Sequence, residues 1–550
     1  LGEQAAVPAL RQGLGKVSKV YRQACRRNSQ GAFMPASLMP FGFSCWSHRA
    51  VLGLGILAGA LCGSPTSAQA FCGFFVSGAD AKLYNNASQV VLMRSGNHTA
   101  LTMSNNYKGP PQDFAMVIPV PVVLQKEQVK TLAPSVFKSV DTLSAPRLVE
   151  YWERDPCYMP PPPRPMPSGR MYMASGAAPT DDFMSAARHG VKIEARFQEG
   201  EYQILILSAQ DSTGLDTWLR LNKYKIPEGA AEAMAPYIRE QMKFFVAKVD
   251  ITKVKRDANG AVQLSPLRFS YDSAELRLPV RLGLLNAEQK QDLLVYILSP
   301  DSRYEVANYQ NAFIPTNVEV ADAVKGNFGS FYGELMDETV RRAGGRAVVT
   351  EFAWQTPILQ RPAPDLSWQS YHCDPCPAPE TPPPTLSDWV SLGDKQILGA
   401  LAEQKSGSMT RDFQLPAGLK EQWVLTRLHT RYDKASLSED LIFRSAKPMV
   451  GGRANGNGTN REEGAQGSPD GQNQFQGRYI IRHYWEGKVQ CKNPEYGVWS
   501  GPPGGGGAQT ATDLANAARG QLSLGSLVRS PIPSLSLPGV SRPKRPGEKR

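Results

Sequence analysis

The chain has 550 residues, enough for two to four domains, and a formal net charge of +11. The charge sits at the ends. Residues 1–70 hold seven Lys/Arg against one acid and 501–550 hold seven against two, so 71–500 balance at 47 basic and 47 acidic residues. A neutral body lacks the basic face that nucleic-acid binding requires, and that class of partner is excluded.

In chain order, 51–62 (VLGLGILAGALC) is an apolar run of twelve, preceded by His48 and Arg49 and followed by small residues at Ala68 and Ala70. It is too short to cross a bilayer and glycines interrupt it, so it reads as a secretory signal peptide cleaved between Ala70 and Phe71. Leu61 before Cys62 is too bulky for a lipobox. The pattern places the true start at Met34 or Met39, with an over-extended N-terminus before it. No later run reaches 18 apolar residues, so no transmembrane segment is expected in the mature chain.

From 71 the sequence reads as short strands. Residues 88–94 and 98–104 flank the turn Ser95-Gly96-Asn97 as a hairpin, and 113–120 is a third strand. Helical spacing follows at 134–140 and 145–152. Residues 158–180 contain seven prolines without a period, the composition of an exposed linker or insert. Strands return at 191–197 and 202–208; the second, YQILILS, is apolar on both faces and fits a covered, central position. Asp211 and Ser212 can cap a helix to Asn222, and a second helical stretch spans 227–242. Strands follow at 243–251, 266–271, 275–282 and 293–298. A helix over 330–342 ends at Gly344-Gly345, and 346–354 is again a strand. After a proline-rich stretch come strands at 422–430, 441–443 and 478–484, interrupted by a Gly/Asn/Gln-rich insert at 451–477.

Strands in runs with helices in pairs predict an α+β fold with antiparallel-rich mixed sheets and a disordered C-terminal tail. The expected division is a signal region at 1–70, an N-terminal β-rich unit at 71–157 and a linker at 158–185. A central α+β unit at 186–360, a C-terminal β-rich unit at 361–500 and a basic tail at 501–550 follow. That tail could touch an anionic envelope weakly by electrostatics.

The stretch opening FCGFFVSGADAKLYNN at Phe71 resembles an uncharacterised exported bacterial family, domain of unknown function 2330. LSAQDSTGLDTWLRLNKYKIP, the CDPC segment, TRLHTRYDKASLSEDLIFR and RYIIRHYWEG resemble the same family, so the likeness runs from 71 to about 490. It implies export and carries no activity, cofactor or site residue with it.

The standard catalytic signatures H-E-x-x-H, G-x-x-x-x-G-K-[ST] and G-x-S-x-G do not occur. Glu153 and Asp155 could suit paired-acid chemistry, but a solvated or salt-bridged pair is the expectation. His98, His189, His372, His429 and His483 suggest no triad, and the last two lie in strand patterns where packed or surface histidines are ordinary.

Five cysteines survive cleavage: Cys72, Cys157, Cys373, Cys376 and Cys491. In Cys373–Cys376 a redox pair is opposed by the prolines that follow, which forbid the helix that would activate a thiol, and by Asp374. A zinc site from Cys373, Cys376 and Cys491 with His372 or His483 is the alternative, lacking a second C-x-x-C. In an oxidising compartment structural disulfides are the expectation, and Cys72–Cys157 would close the N-terminal unit. The resulting reading is an exported periplasmic, cell-surface or secreted protein, a non-catalytic binding or structural component without a cofactor. The competing readings are a thiol–disulfide or metal-dependent protein built on CDPC, and a hydrolase with an unrecognised site.

Overall fold

A computed structural model describes residues 74–76, 87–104, 115–158, 191–357 (apart from 223, 225, 251, 257–261 and 287–289), 386–398, 420–452 (apart from 421), 465–500, 509–510 and 519–535 (apart from 521 and 533). Its principal strands and helices are, in chain order, β1 (Ala87–Ser95), β2 (His98–Met103), β3 (Ala115–Val120), α1 (Ser135–Ser144) and β4 (Arg147–Glu153). Next come β5 (Val191–Glu199), β6 (Tyr202–Ala209), α2 (Ser212–Leu221), α3 (Ala230–Arg239), β7 (Lys243–Val249) and β8 (Leu267–Asp272). They are followed by β9 (Gln291–Ser299), α4 (Phe328–Arg342), β10 (Ala347–Pro357), β11 (Gln422–Tyr432) and β12 (Arg478–His483).

The local signals act where expected. Asp211 accepts a hydrogen bond from the Gly214 N–H at 2.6 Å and starts α2. Past α4, Gly344 and Gly345 take φ of +85° and +76°, and the Gly345 N–H returns to the Val340 carbonyl at 2.8 Å. The β1–β2 hairpin closes through Gly96, φ +57°.

These elements stack in four layers. An antiparallel sheet in the order Phe74–Val76, β3, β7, β6, β5 carries α2 and α3 on one face, through Leu215, Leu219, Met234 and Tyr237. Its other face packs on a large mixed sheet whose centre runs β10–β11–β9–β1–β2–β8. Val90, Leu92, Val295, Ile297 and Leu428 of the large sheet meet Ile118, Ile204 and Phe245 of the smaller one. On the far face Val91, Tyr296 and Trp354 pack against α1 and the segment ending in Lys395–Leu398, and Val349 and Ala353 lie with the cluster built on α4. A strand covered on both faces favours apolar residues on both, and β9, QDLLVYILS, runs without a charge from Leu293 to Leu298 and is buried at every position. The mixed sheets with paired helices give the α+β class.

Two expectations are corrected. Residues 145–152 are not helical: Arg147–Glu153 is β4, which pairs in parallel with β12, Arg147 opposite Arg478 and Trp152 opposite His483. The alternation Leu148/Glu150/Trp152 against Arg147/Val149/Tyr151 suits a strand, and a pairing partner some 330 residues away overrides the local helical spacing. One sheet also crosses the expected divisions among the described residues. The large sheet takes β1 and β2 from the first expected unit, β8, β9 and β10 from the second and β11 from the third. Finally, the disorder expected from 501 onward does not hold for 519–535. Val528, Ile532 and Leu535 are buried in the core around α4, and the Arg529 N–H donates to the Glu319 carbonyl at 2.7 Å. Apolar residues at 527, 528, 532 and 535 supply the burial that the Ser/Pro composition conceals.

Gly452 has φ +81°, and a Cβ there would lie 1.8 Å from the Gln476 carbonyl oxygen. Gly452→Ala is expected to destabilise the protein by upward of about 2 kcal/mol in urea denaturation. Gly96→Ala, with φ +57° but open space around it, should lose only the backbone term, about 1 kcal/mol. Equal losses would show that the close approach at Gly452 is absent.

Candidate functional site

The densest chemistry in the described residues is a charged cluster on the helix-facing side of the large sheet. Along β11 the side chains alternate, and Trp423, Leu425, Arg427, His429 and Arg431 share that side while Leu428 and Tyr432 serve the inter-sheet core. The register of β10 against β11 shifts between Thr350 and Phe352, a bulge at Glu351. A bulge re-aims a side chain, and this one sends the Glu351 carboxylate into the cluster.

Two guanidinium bonds anchor it: Arg427 Nε donates to Glu351 Oε2 at 2.5 Å and Arg427 Nη1 to Asp141 Oδ1 of α1 at 2.5 Å. Arg427 lies over the Tyr296 ring at 5.4 Å, and the Tyr296 hydroxyl donates to Asp141 Oδ1 at 2.7 Å. From α4 the Tyr332 hydroxyl donates to Glu351 Oε1 at 2.5 Å. His429 bridges two carboxylates, Nδ1 to Glu351 Oε1 at 2.6 Å and Nε2 to Asp292 Oδ1 at 2.8 Å. Arg519, from the C-terminal segment, donates to both Asp292 oxygens at 3.0 and 3.2 Å and to Asp337 Oδ1 at 3.1 Å. Arg431 pairs with the other oxygen of Asp337.

Four carboxylates (Asp141, Asp292, Asp337, Glu351) thus face three arginines and one histidine, and the set is neutral when the imidazole is protonated. Geometry requires that state, because a neutral ring would turn a lone pair toward one of the two carboxylates. Burial pushes the His429 pKa down, but Glu351 and then the bond to Asp292 outweigh it and raise the pKa to about 9. Burial alone would raise Glu351; the charges of His429 and Arg427 overcome it and bring the carboxyl to about 2. For Asp292, too, burial is outweighed by His429 and Arg519, and its pKa is lowered. Burial, and then the nearby carboxylates, push both phenols up, so Tyr296 and Tyr332 stay protonated donors.

A pH dependence follows. The stabilisation from His429 is complete below its ordinary value of 6.5 and is lost as pH rises through about 9. That from Glu351 is complete above its ordinary 4.5 and is lost as pH falls through about 2. Stability against urea should therefore peak between about pH 4.5 and 6.5 and fall by on the order of 3 kcal/mol toward pH 9. In His429→Gln the alkaline decline should shrink to the part that the carboxylate-held His98 contributes, and a wild-type profile flat from pH 6.5 to 9 would contradict the assignment.

A second histidine is held the same way. His98 bonds Asp272 at 2.8 Å through Nδ1 and Asp394 at 2.7 Å through Nε2. Burial opposes its charged form, but Asp394 and Asp272 prevail and raise its pKa. Asp394 also accepts from the Gln396 and Ile397 N–H groups, tying the segment after the proline-rich stretch to β2.

The remaining sequence candidates fall as follows. Cys157 is bonded to Cys491, with Cα atoms 5.5 Å apart, so the Cys72–Cys157 bridge does not form. The bond removes Cys491 from the proposed zinc ligands. His483 is likewise engaged, with Nε2 2.9 Å from Glu150 and its ring stacked on Trp152 at 4.2 Å. Among the described residues no group of three or more His, Cys, Asp or Glu could hold a metal ion. Cys72, Cys373, Cys376, His372 and His189, and the cleavage position Ala70/Phe71, lie outside the described residues. Glu153 accepts from the Gly497 and Trp485 N–H groups, and Asp155 from that of Cys157.

The open space lies elsewhere. A cavity of about 450 Å³ sits between residues 312–318, the last turn of α4 and the segment bearing Ile532 and Leu535. A smaller one, about 200 Å³, lies between the two sheets, lined by Leu101, Met103, Ile118 and Phe269, with Glu240 and Arg277 also on its wall.

The profile of a family described as an uncharacterised protein conserved in bacteria, domain of unknown function 2330, matches residues 66–444. The chain belongs to this family. The match takes in β1 to β11 and all of the charged cluster except Arg519, and it ends before β12, whose RYIIRHYWEG stretch resembles the family by sequence alone. No curated protein and no solved structure matches the chain.

Proposed function

We propose that this member of the family is exported and acts as a non-catalytic binding component of the bacterial envelope, taking a small ligand into the 450 Å³ cavity. The observation that carries the reading is how the described residues divide their chemistry. The ionisable cluster at the sheet centre is buried apart from Arg431 and Asp337 at its edge, neutral in sum and occupied with its own members, an arrangement that fixes α1, α4 and the C-terminal segment to the sheet. The larger cavity is walled by apolar and hydroxyl side chains and the Asn317 amide, with Arg342 as its charged residue, the composition of a binding pocket of ordinary size. Export is supported by the signal-like run at 51–62 and by the Cys157–Cys491 bond, since such bonds persist in oxidising compartments.

Expression of the full chain in a Gram-negative host, with fractionation and intact-mass measurement, tests it. The expected result is a periplasmic or released protein beginning at Phe71, with Cys157 and Cys491 linked in a non-reducing peptide map. A cytoplasmic, uncleaved and fully reduced product would overturn it.

A further inference from the structure

The cavity beside α4 has the shape and charge of a site for one particular class of ligand. Its apolar walls are Phe313, Ile314, Val318, Ile532 and Leu535, with hydroxyl side chains and the Asn317 amide between them, and Phe313 remains 42% exposed at its edge. Its volume of about 450 Å³ equals about fifteen water volumes, room for a single chain of roughly ten to fourteen carbons and too little for a two-chain lipid.

The charge at this end is positive. Glu338 accepts from Arg341 Nε and Nη2, each at 2.6 Å, and from Arg342 Nε at 2.9 Å, so one carboxylate is shared by two guanidiniums. The last turn of α4 therefore carries a net +1, and Arg342 lies on the cavity wall with its side chain 41% exposed. Two of the terminal α4 carbonyls, those of Val340 and Arg341, are turned to the Gly345 and Gly344 N–H groups.

We propose that this cavity binds a free single-chain carboxylate, a fatty acid, with its chain against Phe313, Ile314, Val318 and Ile532 and its carboxylate at Arg342. The proposal rests on the binding reading above and names its ligand class. Burial of the chain drives affinity, and the net positive turn selects an anionic over a neutral head.

The test uses the purified, disulfide-bonded mature protein, stripped of lipid, titrated calorimetrically with octanoate, decanoate, dodecanoate and hexadecanoate. Affinity should rise about three- to four-fold per added methylene, the equivalent of about 0.8 kcal/mol each, and level off near dodecanoate. Dodecanol should bind at least five-fold more weakly than dodecanoate. Arg342→Glu should weaken dodecanoate ten-fold or more and leave dodecanol unchanged. Ala465→Trp at the exposed rim should block both, and Ile532→Trp, from the buried wall, should do the same where it folds. Affinity independent of chain length, equal binding of acid and alcohol, or full binding by Ala465→Trp would overturn the proposal. Native mass spectrometry of protein taken from the periplasm separates the two levels: a different co-purifying small molecule overturns the fatty acid and leaves the binding reading, whereas no bound or bindable ligand overturns both.

Discussion

Arg427→Met is expected to destabilise the protein by about 3–5 kcal/mol, the usual loss when one partner of a buried ion pair is removed. Arg427 is fully buried and holds Asp141 on α1 and Glu351 on β10 at once. Without it Asp141 keeps the Tyr296 hydroxyl and Glu351 keeps Tyr332 and His429, but two carboxylates face one buried cation fewer. Urea denaturation should show a lower midpoint with an unchanged slope, meaning lost stability without a change in the surface exposed. Adding Glu351→Gln in the same chain should recover part of the loss, because it removes one of the stranded charges. A loss below about 1 kcal/mol would mean that water reaches the cluster and screens it. The same chemistry explains why the cluster need not be read as an active site. An apolar set of similar volume could be equally stable, whereas ion pairs reward only the arrangement in which α1, β10 and β11 meet in this register.

Reduction of Cys157–Cys491 is the second large effect. The bond spans a sequence separation of 334 residues, and loop closure in the unfolded chain grows with the logarithm of that span, giving up to about 5 kcal/mol. It clasps the end of β4 to the loop after β12, so its loss should first free residues 484–498. The measurement is the urea midpoint with and without dithiothreitol, compared between wild type and the Cys157→Ser/Cys491→Ser pair. The double variant should sit near the reduced wild type and respond little to reductant. A variant that keeps the full reductant-sensitive shift would place the stabilising bond among Cys72, Cys373 and Cys376 instead.

Much of the local structure was readable along the chain. The hairpin around Gly96, the Asp211 cap and the glycine stop after α4 all follow from residues within a few positions of one another. The charged cluster left a fainter trace. In QWVLTRLHTRY three basic residues stand at alternate positions of a long strand, which marks β11 as a place where one face meets buried polar groups. His429, which by its strand pattern alone reads as an ordinary packed or surface histidine, is the hub of that face. Its partners leave no such trace. Glu351 is one acid in a β-rich run until the bulge turns it inward, and Asp141 and Asp292 are unremarkable where they stand.

By itself the sequence determined the family, the α+β character, most element positions and the neutrality of the body, because each depends on composition, local propensity or short-range spacing. Tertiary structure alone decided that β4 is a strand, that the expected units share one sheet, that Cys157 takes Cys491 and that Arg519 reaches Asp292. Each of these joins residues far apart in the chain, up to a sequence separation of 334 at the disulfide. Their contacts form only when distant strands are brought into register, and no local pattern of side chains encodes which distant partner that will be.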